Sequence, residues 1–185
     1  EDGVALDAFV FQLSSEPAPT GTGPAESGTT TVGGGINAFG SLLSITGCRL
    51  TDNIANQAGA VFTSIQTTLL ITDSMLDNNH TQDLGYENQY GPAIYALGGL
   101  SLDSSTVTGN TAEWGSAFAV NVRCYSGSVT ILNSTIADNS SSAVYTYNCD
   151  TNLQHATIID NILSEQFLRI PYDAPGIQVV AILFA

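Results

Sequence analysis

The sequence predicts an all-β protein: a right-handed parallel β-helix of about five coils, with an N-terminal strand or arm and an apolar C-terminal strand. Three observations carry this. A nine-residue block, clearest at Ile131 to Asn139, recurs without internal gaps at Ile45 to Asn53, Ile71 to Asn79, Leu102 to Asn110 and Leu153 to Asn161. The closing asparagines lie 26, 31, 29 and 22 residues apart, so constant strands alternate with variable loops, whereas a left-handed hexapeptide helix needs a tighter period. Within the block apolar residues alternate by two with one change of parity, and helical spacing fits nowhere.

In chain order, residues 4 to 13 are apolar on both faces and predict a strand buried on both sides. Residues 14 to 31 are rich in Pro, Gly, Ser and Thr and read as a linker. Fully extended it spans roughly 60 Å at about 3.3 Å per residue, so the first strand need not pack on its own solenoid. The domain reading is therefore 1–32 for strand and linker, 33–161 for the β-helix, and 162–185 for a C-terminal strand or assembly segment. Residues 177 to 184 are again apolar on both faces and predict a strand buried against the last coil, residues 4 to 13, or another subunit.

Each repeat opens with two small residues and an apolar one: Gly34-Gly35-Ile36, Gly59-Ala60-Val61, Pro92-Ala93-Ile94, Ser116-Ala117-Phe118 and Ser142-Ala143-Val144. Counting the first residue of each block as place 0, the inward set is places −2 and 0 on one strand and places 3 and 5 on the next. Gly47, Asp73, Ser104, Asn133 and His155, at place 2, suit a corner between the two. Asn53, Asn79, Asn110, Asn139 and Asn161, at place 8, suit a second corner, where asparagine tolerates left-handed backbone angles. Stacked about 4.8 Å apart, their amides are expected to bond one another as an interior ladder. Asp52, Asp138 and Asp160 recur at place 7, where turn chemistry is the first reading.

Small-small-apolar followed by apolar-x-x-Asn resembles the β-helix repeats of polymorphic outer-membrane proteins and related surface adhesins, which carry Gly-Gly-Ala-Ile and Phe-x-x-Asn. Here the second element appears as Leu50-Thr51-Asp52-Asn53, Leu76-Asp77-Asn78-Asn79, Val107-Thr108-Gly109-Asn110, Ile136-Ala137-Asp138-Asn139 and Ile158-Ile159-Asp160-Asn161. Aliphatics replace the Phe, and the first element is degenerate. The resemblance covers residues 33 to 161 and implies the fold. It leaves function open, because β-helices host lyases, hydrolases, adhesins and fibres.

Only three bases, Arg49, Arg123 and Arg169, face 17 acids, for a formal charge of −14. This argues against nucleic acid and anionic membrane surfaces, which need a basic face. No run predicts membrane insertion. The absence of an initiator Met is read as a processed product or a fragment, and the composition as that of an extracellular or cell-surface protein.

Cys124 and Cys149 fall in loops of consecutive repeats and are expected to form a disulfide. Cys48 takes an inward small-residue place and reads as a free core thiol. Three N-x-S/T sequons mark Asn79, Asn133 and Asn139. Asn133, at an outward corner, is the best acceptor. The linker threonines Thr20, Thr22, Thr29, Thr30 and Thr31 suit O-glycans. No cofactor is expected, Ca²⁺ being the one ion the acids would suit. No catalytic residues are assigned. The single basic–acidic loop pair to consider is Arg123 with Asp150, and His80 and His155 have no evident partners. Tyr86, Tyr90, Tyr95, Trp114, Tyr125, Tyr145 and Tyr147 either line a sugar-binding face or anchor loops.

The leading expectation is a secreted, non-enzymatic subunit of an extracellular fibre, assembling head to tail with copies of itself. Strand exchange would use Val4, Leu6, Phe9 and Phe11 at one end and Ile177, Val179, Leu183 and Phe184 at the other. The alternatives are a β-helical adhesin or carbohydrate-binding module, with glycans as partners, and a polysaccharide lyase or glycoside hydrolase.

Overall fold

The structure, a computed structural model, describes residues 34–82, 90–113, 118–125 and 127–161, with the strands Val4–Asp7, Val10–Gln12, Leu168–Arg169 and Ile177–Phe184. Every described element is a β-strand, and every pairing between strands is parallel. The strands form a solenoid with three faces. Among the described residues no helix is long and apolar enough to cross a membrane.

Sheet I has two wings. One stacks Leu42–Thr46, Thr68–Thr72, Leu100–Asp103, Ser128–Leu132 and the start of Asp150–Ile159. The other stacks Arg49–Thr51, Met75–Asp77, Thr106–Thr108, Thr135–Ala137 and the end of Asp150–Ile159. Sheet II stacks Ile36–Ala38, Val61–Thr63, Ile94–Ala96, Phe118–Arg123, Ser142–Tyr147 and Leu168–Arg169. Sheet III is short: Ile54–Ala55, His80–Thr81 and Thr111–Ala112.

The repeat register and the block coincide. Ile45, Ile71, Leu102, Ile131 and Leu153 form one pairing column, and Leu50, Leu76, Val107, Ile136 and Ile158 another. With Leu43, Leu69, Leu100, Val129 and Thr151 they fill the interior, none more than 2 % exposed. Val61, Ile94, Val120 and Val144 close it from sheet II. At about 2 kcal/mol per buried aliphatic side chain, three such residues supply each coil with about 6 kcal/mol of gross burial. Chain entropy cancels most of this.

The two corners of each block are left-handed. At place 2, φ is +62° for Gly47, +49° for Asp73, Ser104 and Asn133, and +52° for His155. At place 7 it is +58° for Asp52, +55° for Asn78, +64° for Gly109, +53° for Asp138 and +51° for Asp160. The second set corrects the sequence reading. The positive φ belongs to the residue before each ladder asparagine, because short polar Asp, Asn and Gly tolerate that angle and free the asparagine to turn inward.

The chain's end strands have defined partners, and one repeat differs from the sequence reading. Val4–Asp7 pairs with Leu42–Thr46, and Val10–Gln12 with Arg49–Thr51, so residues 4 to 12 add a rung to the chain's own solenoid. Leu6 takes the register of Ile45, and Phe11 that of Leu50. Phe9 lies outside the described residues. Ile177–Phe184 likewise pairs along Asp150–Ile159, with Val179 opposite Leu153 and Phe184 opposite Ile158. Within the single chain both end strands thus pair with its own solenoid. In sheet II, Val120 pairs with Ile94 and Val144, so the small-small-apolar element of the fourth repeat ends at Val120 rather than Phe118.

Candidate functional site

The asparagine column is a closed interior device. Nδ2 of Asn53 donates to Oδ1 of Asn79 at 2.8 Å, Asn79 to Asn110 at 2.9 Å, Asn110 to Asn139 at 2.9 Å and Asn139 to Asn161 at 2.7 Å. Each acceptor oxygen also takes the backbone N–H of the preceding asparagine. The amides of Asn79, Asn110, Asn139 and Asn161 reach back to the carbonyls of Leu50, Leu76, Val107 and Ile136. Asn79 and Asn139 are fully buried, which withdraws two of the three sequons from solvent in the folded protein. Asn133 is exposed, with Nδ2 bonded to Asp103 Oδ1 at 3.1 Å. Thr20, Thr22, Thr29, Thr30 and Thr31 lie outside the described residues.

A second ladder runs beside the first and has no counterpart in the sequence reading. The backbone N–H groups of Cys48, Ser74 and Ser105 donate to Oγ of Ser74, Ser105 and Ser134, each at 3.1 Å. Each hydroxyl donates in turn to the carbonyl two residues earlier. The mixed occupancy of place 3, with Cys at one end and Ala at the other, hides this pattern. Cys48 is buried and in no disulfide, its Sγ donating to the Thr46 carbonyl at 3.2 Å.

Cys124 and Cys149 form a disulfide between adjacent coils, with a Cα–Cα distance of 5.1 Å. It closes the end of sheet II beside a cluster of aromatic and polar side chains on the outside of the solenoid. Register defines that cluster as a grid of three rungs, Tyr95 with Leu97, Asn121 with Arg123, and Tyr145 with Tyr147. Strand alternation turns these six outward, because the intervening Ala96, Val122 and Thr146 are buried inward. Tyr90 folds over the grid and stacks on Tyr95, ring centroids 4.4 Å apart and planes within 19°. The Arg123 guanidinium lies 4.7 Å from the Tyr90 centroid and 6.0 Å from that of Tyr145. Phe118 packs on Tyr145 at 5.1 Å, and Phe62 on Tyr95 at 5.7 Å, so rings and guanidinium run along the solenoid axis.

The grid is electrostatically unusual. Burial pushes the Tyr95 phenol up to about 12, with nearby Arg123 pulling the other way and Tyr90 and Tyr125 adding to the rise. Arg123 forms no ion pair among the described residues, and its Nε is buried without a hydrogen-bond partner. Asn121 is buried beside it, with Oδ1 also unpartnered. Arg123 and Asp150, the loop pair considered from the sequence, form no ion pair, and Arg123 makes cation–π contacts instead. Arg49, by contrast, forms a two-pronged ion pair with Asp77, at 2.9 and 2.6 Å. That bond raises the Arg49 pKa.

Tyr125 and Tyr147 are well exposed, at 71 % and 51 %. The cluster thus offers accessible aromatic faces, one unpaired cation and an unused amide oxygen. Such groups stack on sugar rings and bond hydroxyl or carboxylate groups. Tyr86 and Trp114 lie outside the described residues. A groove of about 560 Å³ lined by Gly40, Ser41, Ile65, Gln66, Thr67, Thr68 and Gly99 is the rival location, but it holds no charged side chain. Among the described residues no group of three or more His, Cys, Asp or Glu is placed to hold a metal ion.

Residues 34–180 match the family model described as right handed beta helix region. No curated protein and no solved structure matches the chain.

Proposed function

Because the chain belongs to the right-handed β-helix family, we propose that it is an exported β-helical binding module of the adhesin type, whose ligand face is the outer grid of sheet II. The supporting observation is the placing of exposed Tyr125 and Tyr147 near Arg123, which has no ion pair among the described residues, beside a disulfide. The disulfide supports an oxidising compartment, hence a cell-surface or extracellular place of work. The solenoid acts as a rigid frame: its ladders and apolar columns hold the grid, and the ligand meets only side chains outside them. A glycan array probed with the protein and with a Tyr125→Ala/Tyr147→Ala variant tests this. Binding by the former that the latter loses is the expected result, and an array without hits contradicts it.

Head-to-tail assembly with copies of the same chain is a second reading, favoured by register. Val4 pairs with Leu43 and Ile177 with Thr151, both at place −2, so the two end strands would meet in step without exchanging. Electron microscopy that finds filaments one solenoid wide would support this, and uniform single particles at high concentration would remove it.

A further inference from the structure

We infer that the grid selects sugars carrying a carboxylate, with Arg123 as the group that receives it. This rests on the binding-face reading and narrows it. Arg123 and Arg49 are the two arginines whose side chains are described, and only Arg49 is engaged by a carboxylate. An arginine without a counter-ion among the described residues is unusual in a chain of formal charge −14. Acidic partners are plentiful, yet Arg123 is held between Tyr90 and Tyr145 instead. The rings fix the plane of the guanidinium without using its N–H groups, which remain available to a planar, two-oxygen acceptor.

Asn121 supplies a second, independent indication. Its side chain is 3 % exposed, its Oδ1 has no partner, and the equally unpartnered Arg123 Nε lies two residues along the same face. A buried donor and a buried acceptor left unpaired on the same face of one strand are costly unless another state joins them. A carboxylate drawing the terminal N–H groups outward would rotate the guanidinium and bring Nε–H to Asn121 Oδ1. Asn121 is then a positioning residue for Arg123. Tyr125 and Tyr147, exposed at the rim, supply the stacking faces for the sugar ring. The protein's net negative charge does not forbid an anionic ligand, since charges farther than about 8 Å are screened at physiological salt and contact with Arg123 is not.

Two carboxylated sources separate in one experiment. A hyaluronan hexasaccharide and 3′-sialyllactose are titrated by calorimetry or NMR, each beside its neutral form: the carboxyl-reduced hexasaccharide and the sialyllactose methyl ester. At least one acidic sugar is expected to bind tenfold or more tightly than its neutral form. Arg123→Gln is expected to bring that acid-to-neutral ratio close to one, and Asn121→Ala to reduce it severalfold. A thermal melt of each variant identifies any loss due to unfolding, and the wild-type acid-to-neutral ratio stands without variants. Equal binding of acidic and neutral forms overturns the carboxylate assignment and leaves the binding face intact. No binding of any of the four sugars, with hits elsewhere on an array, also overturns it, and an array with no hits at all removes both readings.

Discussion

Nδ2 of Asn110 donates to Oδ1 of Asn139 at 2.9 Å, inside a protein interior where neither side chain meets solvent. The same oxygen accepts the Asn110 backbone N–H at 3.0 Å, so one carbonyl ties side chain and main chain of the coil above. Asn139→Ala would strand that N–H and remove the donors serving Val107 and Ala137. With several buried groups unpaired at about 1 kcal/mol or more each, the loss is expected near 3 kcal/mol. Urea unfolding of the variant, read by far-ultraviolet dichroism, checks this. A change below about 1 kcal/mol would mean that water replaces the ladder without cost.

The disulfide closes a loop of sequence separation 25. Constraining the unfolded chain over such a loop stabilises by about 3 kcal/mol. Cys124→Ser/Cys149→Ser should lower the denaturation midpoint accordingly and loosen the sheet II grid with it. A melt unchanged by reductant would show that the bridge is not formed in solution.

Tyr95 has its folded pKa raised from 10.0 to about 12. The neutral phenol is the form that the folded state prefers. Its contribution is therefore complete below pH 10 and is lost as pH rises toward about 12. Absorbance titration at alkaline pH should show one late-ionising tyrosine, absent in Tyr95→Phe, whose ionisation accompanies unfolding. Absence of a late-ionising tyrosine would mean that Tyr90 does not cover the Tyr95 ring.

The three sequons differ sharply in access. If the protein passes through a pathway that N-glycosylates, the folded product is expected to carry glycan at Asn133 alone. Asn79 and Asn139 have their amides consumed by the ladder. Peptide mass spectrometry of the secreted product reports the occupancy. Modified Asn79 or Asn139 in folded protein would contradict the ladder directly.

Much of this architecture is written at fixed places in the block. Ile71, Leu76 and Asn79 recur at constant offsets because stacking forces equivalent residues into one column, and such columns survive as a pattern. The serine ladder is less visible, because its anchoring contact is a backbone N–H that any residue supplies. Cys48 and Ala156 can therefore occupy place 3 at its ends. The outer grid is least legible. Tyr95, Asn121 and Tyr145 share a column but no chemistry, and loops of unequal length shift the fourth repeat until Val120, rather than Phe118, meets Val144. The end strands are readable as strands, but the sequence leaves their partners open: Leu6 and Val179 take the register of Ile45 and Leu153 without a closing asparagine to mark a repeat.

The binding face is tested most directly by hydroxyl-radical footprinting of the protein with the strongest-binding array glycan. Tyr125 and Tyr147 should be protected on binding, while Phe39 and Ile65, exposed elsewhere on the solenoid, keep their reactivity. Protection of Phe39 and Ile65 with Tyr125 and Tyr147 unchanged would place the ligand away from the grid and contradict the account.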